Sequence, residues 1–136
     1  MDLIQVTENL IPAFKPLLTK TALADLMNDP DTVAVGAVDD DNKACGIMLM
    51  HVAESFCMIT HLAVADSARR KGIAGMLVDK AELSSERMYI VLIAILCPES
   101  EEDDLYQFFS NRPEWVVEHR SDDENGDYYL AAWDRP

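Results

Sequence analysis

The chain of 136 residues is short of basic residues, with 11 Lys and Arg against 25 Asp and Glu and a formal net charge of −14 at pH 7. Because a nucleic-acid surface requires positive charge opposite the phosphates, this deficit excludes nucleic acid as a partner and favours cationic ones. No run of about 18 apolar residues is present, which excludes a membrane-spanning helix. The first residues also lack the basic and apolar regions of a signal peptide, so we expect a soluble, cytoplasmic protein with no membrane partner.

Cysteine is scarce as well, and its placement argues against cross-links. The three residues, Cys45, Cys57 and Cys97, are odd in number and lie inside apolar runs. Reduced, buried thiols suit this pattern better than a disulfide framework or a zinc cluster, and we expect no metal. With 49% hydrophobic residues, the length favours a single domain over residues 1–136, with one core.

Both common phosphate loops are missing: there is no Gly-x-x-x-x-Gly-Lys-Ser/Thr and no Gly-x-Gly-x-x-Gly. The chain has instead a basic run, Arg69-Arg70-Lys71, followed by Gly72, between an apolar strand and an amphipathic helix. The first N–H groups of a helix have no intrahelical partner, and the helix dipole adds partial positive charge there. This junction therefore predicts a phosphate or pyrophosphate site held mainly by main-chain donors and secondarily by the basic side chains.

Periodicity and turn residues predict alternating elements along the whole chain. Strands are predicted at residues 3–6, 32–38, 44–52, 56–64, 88–96, 115–119 and 128–133. A first helix is predicted to follow Thr7, whose hydroxyl is expected to cap it. Further helices are predicted at 21–27 and at 72–86, and a last helix is predicted to open within 98–104. Pro16 is expected to kink or break the first helix. Asn125-Gly126 is the predicted turn of the closing hairpin.

The basic junction resembles the acyl-CoA signature of the GNAT N-acetyltransferase superfamily, Gln/Arg-x-x-Gly-x-Gly/Ala, which Arg69, Gly72 and Ala74 match. The flanks, Leu62-Ala63-Val64 before it and Met76-Leu77 after it, agree with the family pattern, and so does the order of predicted elements. The resemblance implies an α/β (α+β) GNAT fold. Such a fold has a central mixed, mostly antiparallel sheet of six to seven strands, flanked by about four helices and splayed between the fourth and fifth strands.

The same resemblance implies that acetyl-CoA binds as a cosubstrate. The main chain of the strand before the signature would hold the pantetheine and the carbonyl oxygen, and the loop would hold the pyrophosphate. The implied cofactor-binding residues are Leu62, Ala63, Val64, Arg69, Arg70, Lys71, Gly72, Ile73 and Ala74. The apolar side chains of the strand are expected to pack in the core, so only their backbone is functional.

A general acid is the point at which the sequence departs from the family pattern. Family members often carry a Phe-Tyr pair on the helix after the buried strand, with the tyrosine hydroxyl near the sulfur of CoA. Here the pair is Phe108-Phe109, and Phe109 cannot donate a proton. Tyr106 lies three residues earlier on roughly the same face and is our candidate acid. The alternatives are that Tyr106 is an amphipathic core residue and that water is the donor.

For a base, the strand at 56–64 offers His61. Strict alternation places it on the face of Cys57 and Ile59, whereas family bases on this strand sit in the register of Met58 or Thr60. A bulge near the splay would reverse that parity. His61 is our candidate base or substrate contact, and a hydrogen-bonded structural histidine is the alternative. Weaker candidates at the site are His51, Glu54 and Cys97.

Two functions remain open from the sequence. The first is an acetyl-CoA-dependent N-acetyltransferase that transfers an acetyl group to a primary amine by direct attack in a ternary complex. Its partner would be a small-molecule amine, cationic by the charge balance, or a peptide amine. The second is a non-catalytic acyl-CoA-binding module with a sensing or structural role, which the missing tyrosine favours. The oligomeric state is open, a homo-oligomer included.

Overall fold

The computed structural model describes residues 1–69, 71–87, 90, 92–98, 102–124 and 126–134, and of residues 86, 87, 96–98 and 102–104 it describes the backbone alone. The strands are β1 (Asp2–Gln5), β2 (Thr32–Val38), β3 (Ala44–Ala53), β4 (Phe56–Val64), β5 (Leu92–Pro98), β6 (Trp115–Asp122) and β7 (Gly126–Asp134). They form one seven-stranded sheet in the order β1-β2-β3-β4-β5-β7-β6. Its pairs are antiparallel except β4–β5, which is parallel. The predicted mixed, mostly antiparallel sheet is confirmed.

Helices cover both faces of this sheet. They are α1 (Ile11–Phe14), α2 (Lys20–Asn28), α3 (Ile73–Arg87) and α4 (Glu102–Ser110). On one face, Phe14 of α1 is buried with Ile47 and Leu49 of β3. On the other, Leu77 of α3 and Phe109 of α4 are buried in the larger cluster. Burying a side chain of this size stabilises the fold by roughly 1.5–3 kcal/mol. Within the described parts of the chain, no helix has both the length and the apolar character needed to cross a bilayer.

The predicted first helix is correct in place and wrong in form. It consists of the short helix α1 between two 3₁₀ turns, Glu8–Leu10 and Lys15–Leu17, so the expected break at Pro16 is confirmed. Pro16 has no N–H to continue an α-helical ladder, which accounts for the change of form. The Thr7 hydroxyl makes no capping bond. Thr19 is the residue that caps a helix, since its Oγ1 accepts the Ala22 N–H of α2 at 3.1 Å.

The boundaries of β5 and α4 also differ from the sequence prediction. β5 begins at Leu92 rather than at residue 88, and it reaches Pro98, where the prediction opened a helix. α4 begins at Glu102. Ile90 precedes the strand and donates its N–H to Ser85 O at 2.9 Å, so it is bonded to the last turns of α3 rather than to the sheet. A continuous apolar run has no period that marks where a strand begins, which explains the error. Residues 88, 89, 91 and 99–101 of these predicted elements, and Asn125 of the predicted turn, lie outside the described residues.

The parallel strands β4 and β5 diverge halfway along their length. They pair from Phe56↔Leu92 to Ile59↔Ile95. Beyond that point β4 continues against β3 as far as Val64, while β5 continues against β7 as far as Pro98. The sheet therefore opens between the C-terminal halves of β4 and β5, as the predicted splay requires.

Candidate active site

Gly72 stands at the start of α3, at the end of the sheet where β4 and β5 diverge. Its φ of +77° lies in the left-handed region, which glycine adopts at little cost. A Cβ built on Gly72 would have no atom within 4 Å, so the space beside this backbone is open. The first helical bond joins Met76 N to Gly72 O at 3.0 Å. The N–H groups of residues 73–75 therefore have no intrahelical acceptor, and an anion is their natural partner.

Ile73 anchors the first turn of α3 to the core. This side chain is only 2% exposed and packs into the larger core cluster. It comes so close to β3 that a Cβ on Gly46 would lie 2.7 Å from Ile73 Cγ2. Because the side chain of Ile73 is committed to the core, only its main chain is available to a ligand. The same packing fixes the donors of this turn in place.

The basic side chains of the loop lie at the surface. Lys71 is exposed. Arg69 Nε is 3.2 Å from Asp66 Oδ1, and both side chains are largely in water. An exposed ion pair of this kind contributes little to stability. Arg70 lies outside the described residues. The loop thus offers charge from exposed side chains and fixed donors from its backbone.

A bulge interrupts the pairing of β4 with β3. Leu49 is opposite His61, but Met50 is opposite Ile59, so Thr60 is the extra residue. An extra residue reverses the alternation of side chains beyond it. Leu62 and Val64 accordingly pack against the cluster under α3, and Ala63 packs against the cluster under α1 and α2. The bulge that the sequence left conditional is present, and it lies where β4 separates from β5. Past Ile59, the β5-facing edge of β4 has no strand partner among the described residues.

His61 lies just past the bulge, on the side of the sheet that α1 and α2 cover. Its Nε2 is 2.6 Å from Leu17 O, in the 3₁₀ turn that precedes α2. Because a carbonyl oxygen only accepts, the ring must carry a hydrogen on Nε2. A neutral His61 then presents Nδ1 as a lone-pair acceptor. The bond to Leu17 also serves the structural alternative, since it ties β4 to this turn.

Tyr106 of α4 lies over the other arm of the opening. Its ring centroid is 4.6 Å from that of Tyr129, with 49° between the ring planes. Tyr129 pairs with Cys97, in the half of β5 that has left β4. His119 on β6 pairs with Tyr129, and their ring centroids are 5.3 Å apart. Sequence reasoning missed Tyr129 and His119, because the closing hairpin indicated only alternating strands.

Phe109, which stands where the family often has a tyrosine, is a core residue here. It is 0% exposed, and its ring centroid is 4.7 Å from that of Trp115. An aromatic side chain so enclosed serves packing, and a phenol at this position would need a buried hydrogen-bond partner. The prediction that Phe109 is not the acid therefore rests on its surroundings as well as on its chemistry.

Sequence comparison decides the family. The profile of the acetyltransferase (GNAT) family matches residues 4–106, about three quarters of the chain. The chain belongs to the acetyltransferase (GNAT) family. It is therefore an acyltransferase, with acetyl-CoA as its cosubstrate. A comparison with curated protein sequences gives no match.

Solved structures of other acetyltransferases share the fold of this GNAT protein over its whole length. A GNAT-family acetyltransferase from Staphylococcus aureus Mu50 is 12% identical, with a TM-score of 0.81 and coverage of 99% of both chains. An aminoglycoside 6'-N-acetyltransferase complexed with coenzyme A is 13% identical, with a TM-score of 0.80 and coverage of 100% of this chain and 98% of that one. A variant of spermidine N-acetyltransferase from Vibrio cholerae is 11% identical, with a TM-score of 0.76 and coverage of 99% and 95%. At such identities the likeness shows the fold alone.

The described residues of this GNAT protein suit a CoA thioester. The open space beside Gly72 and the unpaired N–H groups after it can take a pyrophosphate. The unpaired edge of β4 at 60–64 can take an extended chain with amide groups, because main-chain donors and acceptors at a strand edge bind such a chain. Both features lie at the same end of the sheet, so one elongated ligand can contact both.

His51 and Glu54 lie away from the opening. His51 Nδ1 is 2.8 Å from Asp29 Oδ2, and His51 is opposite Met58, in the half of β4 that stays paired with β5. The amide of Asp31, then the His51 ring, hold the pKa of Asp29 below its ordinary value. Glu54 is in the turn between β3 and β4, with a φ of +50°. These residues therefore join α2 to β3 or shape a turn. The side chain of Cys97 lies outside the described residues.

Arg112 is a residue whose role the sequence did not indicate. It follows α4 and reaches across to α3, where its Nη2 is 2.6 Å from Asp79 Oδ1 and also bonds Glu82. Its guanidinium carbon is 5.7 Å from the centre of the Phe108 ring. Burial lowers the pKa of Arg112, but the hydrogen bonds to Asp79 and Glu82 outweigh it, so the net shift is upward. The sequence indicated only a helix end at 111–113, yet the side chain links the two helices that flank the opening.

Proposed function

We propose that this acetyltransferase transfers an acetyl group to a primary amine by direct attack of the amine within a ternary complex. Acetyl-CoA supplies the acetyl group as a thioester that nucleophiles attack readily. The observation that carries the proposal is the opening between β4 and β5, with the anion-binding turn at Gly72 beside one arm and Tyr106 over the other. His61 lies on β4 where the opening begins.

The main chain has the larger part in binding. N–H groups of residues 73–75 hold the pyrophosphate, and the side chains of Arg69 and Lys71 add charge, as would that of Arg70. The backbone of Leu62, Ala63 and Val64 binds the pantetheine and holds the acetyl group in position for attack. A main-chain N–H on this edge also polarises the acetyl carbonyl and stabilises the negative charge that develops on its oxygen.

Three protons move during the transfer: the ammonium loses one before attack, its nitrogen loses a second to solvent once the bond to the acetyl carbon has formed, and the departing thiolate gains one. The attacking amine arrives as an ammonium ion, and His61 removes a proton from it through Nδ1, directly or through water. The departing thiolate needs a proton, and Tyr106 donates it from its hydroxyl and recovers it from solvent. His61 and Tyr106 are on opposite arms of the opening, which suits one group that takes a proton from the acceptor and another that gives one to the leaving group.

The acceptor that we propose is a cationic amine, either a small molecule or a peptide amine. One support is the turn after β2, which carries Asp39, Asp40 and Asp41. Val38 pairs with Ala44, and Gly46 pairs with Val64. The acidic turn is therefore at the end of the sheet to which the opening faces.

A second acidic turn supports the same acceptor class. The hairpin between β6 and β7 carries Asp122, Asp123, Glu124 and Asp127. It continues past Tyr128, which pairs with Pro98 at the end of β5. Both turns thus lie beyond the diverging strands, where their charge raises the local concentration of cations. Two structural relatives are an aminoglycoside acetyltransferase and a spermidine acetyltransferase, and the substrates that they are named for are cationic amines as well.

Turnover with a panel of amines tests the proposal. We expect acetyl-CoA to release its thiol faster with spermidine or an aminoglycoside than with a neutral or acidic amine. We also expect kcat/KM for the cationic amine to fall as salt rises from 0.01 to about 0.15 M, because the screening length falls from ~30 Å to ~8 Å. Binding of CoA without turnover across the panel would favour the non-catalytic module instead. A preference for neutral amines with no salt dependence would show that the acidity serves solubility.

Replacing His61 with Gln separates its two proposed roles. The Gln amide nitrogen can still donate to Leu17 O, as Nε2 does at 2.6 Å, but Gln offers no basic nitrogen. We expect kcat to fall about tenfold at neutral pH, less than the ~10²–10⁴-fold typical of a lost base. The loss is smaller because an amine also loses its proton to solvent, and does so more completely as the pH rises. The deficit should shrink toward alkaline pH. A deficit equal at every pH, or a fall in melting temperature that accounts for it, would make His61 a structural residue.

A further inference from the structure

A cleft of about 410 Å³ lies on the α3 face of the sheet, toward the β1 edge. Its floor is apolar and includes Val35, Met50 and Val52. The wall is the C-terminal half of α3, with Lys80 and Ser84 among the lining residues. Lys80 is eight residues beyond Gly72, or about 12 Å along a helix at 1.5 Å per residue. This cleft is therefore separate from the opening between β4 and β5.

Among the described residues that line the cleft, Lys80 is the charged one. It is half-buried, and no carboxylate within the described ranges pairs with it. The neighbouring acids of α3, Asp79 and Glu82, bond Arg112 instead. Cys57, also in the lining, stays neutral, because burial raises the pKa of its thiol to about 11. In a chain of net charge −14, a half-buried lysine beside an apolar floor and without a carboxylate partner among the described residues leaves a positive charge available to an anion.

We propose that this cleft binds a small carboxylate with an apolar body. The carboxylate lies on the Lys80 ammonium, with the Ser84 hydroxyl as a further donor, and the apolar body lies along Val35, Met50 and Val52. The volume is at the lower end of the range of ~300–1,000 Å³ found for small-molecule sites. A single cation over an apolar floor suits one negative charge at the end of a hydrocarbon better than a nucleotide or a polyanion, which would need several donors.

Titration calorimetry at low salt with a matched series of ligands tests the proposal. Butanoate, hexanoate and octanoate vary the apolar body, while octan-1-ol and octylamine replace the head group. We expect affinity to rise about fourfold for each added methylene, since each buried methylene contributes ~0.8 kcal/mol. Octanoate should bind roughly tenfold more tightly than octan-1-ol, and octylamine should not bind detectably. Absence of octanoate binding at millimolar concentration would overturn the proposal.

Variants of Lys80 and Ser84 locate the site. Lys80→Met keeps an unbranched stem and removes the charge, so octanoate affinity should fall about tenfold to that of octan-1-ol, whereas Lys80→Arg should retain it. Lys43→Met, in the turn between β2 and β3, is the matched control and should leave binding unchanged. Ser84→Trp fills the cleft and should abolish binding of both ligands. The melting temperature and CoA affinity of each variant report whether it folds.

Two results would contradict the assignment even if octanoate binds. The first is an equal affinity for octanoate in the wild type and in Lys80→Met. The second is displacement of octanoate by CoA, which would mean that the carboxylate occupies the anion-binding turn of α3. These measurements use binding alone, so they stand whether or not the protein acetylates any amine on the panel.

Discussion

Replacing Gly72 with Asp is expected to weaken CoA binding by about 100-fold or more, equivalent to at least ~2.7 kcal/mol. The φ of +77° at Gly72 disfavours any residue with a Cβ, so the loop would relax away from the conformation that presents its N–H groups. The carboxylate would also stand beside the donors of residues 73–75 and take the place of the anion that they are proposed to bind. Titration calorimetry with CoA measures the loss.

Gly72→Asn is the matched variant, because Asn has nearly the same shape as Asp, tolerates a left-handed φ and carries no charge. We expect this variant to lose about tenfold or less. The difference between the two variants then reports the electrostatic part of the site, since the Cβ that both share would have no protein atom within 4 Å. Equal CoA affinity in wild type and Gly72→Asp would show that the pyrophosphate binds elsewhere.

Much of this fold could be predicted because local signals agree with it. β2 and β4 have the predicted bounds, since Asp or Ser residues stand at or near their ends and mostly β-branched or apolar residues lie between them. The anion-binding turn could also be predicted, because the donors of a helix N-terminus follow from helix geometry alone. Where an apolar run had no turn residue at its start, as before Leu92, the predicted strand boundary was wrong.

The face occupied by His61 could not be predicted from β4 alone. A bulge depends on the register between two strands, here on Leu49 and Met50 of β3 as much as on Thr60. The sequence of β4 has no glycine or proline that would mark it. The sequence could therefore indicate His61 as a candidate base and state that a bulge was required for it. The pairing of β4 with β3 decides on which side of the sheet His61 lies.

Contacts between distant segments also could not be predicted from the sequence. Arg112 bonds Asp79, 33 residues away, and no pattern in either segment indicates the partner. The excess of acidic residues likewise indicated a cationic partner, but it did not indicate where that partner binds. The locations follow from sheet topology, because the turn at Asp39 and the hairpin at Asp122 are far apart in sequence and share one end of the sheet.

Removing the hydroxyl of Tyr106 is expected to lower kcat by ~10²-fold, the lower part of the range for a lost general acid, with CoA affinity nearly unchanged. Tyr106→Phe keeps the ring, and so keeps the contact with Tyr129 at 4.6 Å and the packing of α4. The thiolate would then take its proton from water, which is a poorer donor than a positioned phenol. Steady-state release of CoA from acetyl-CoA gives kcat, and calorimetry with CoA gives the affinity.

Tyr129→Phe is the control that shows whether the proton donor is Tyr106 or its neighbour Tyr129. It keeps the same ring pair and removes the adjacent hydroxyl, which lies on β7 across from Cys97. If Tyr106 is the acid, Tyr129→Phe should leave kcat within about threefold of wild type, well short of the loss expected for a general acid. The reverse pattern would transfer the role to Tyr129. An unaltered kcat in both variants would leave water as the proton donor, and Tyr106 would then be an amphipathic core residue whose ring packs and whose hydroxyl meets solvent.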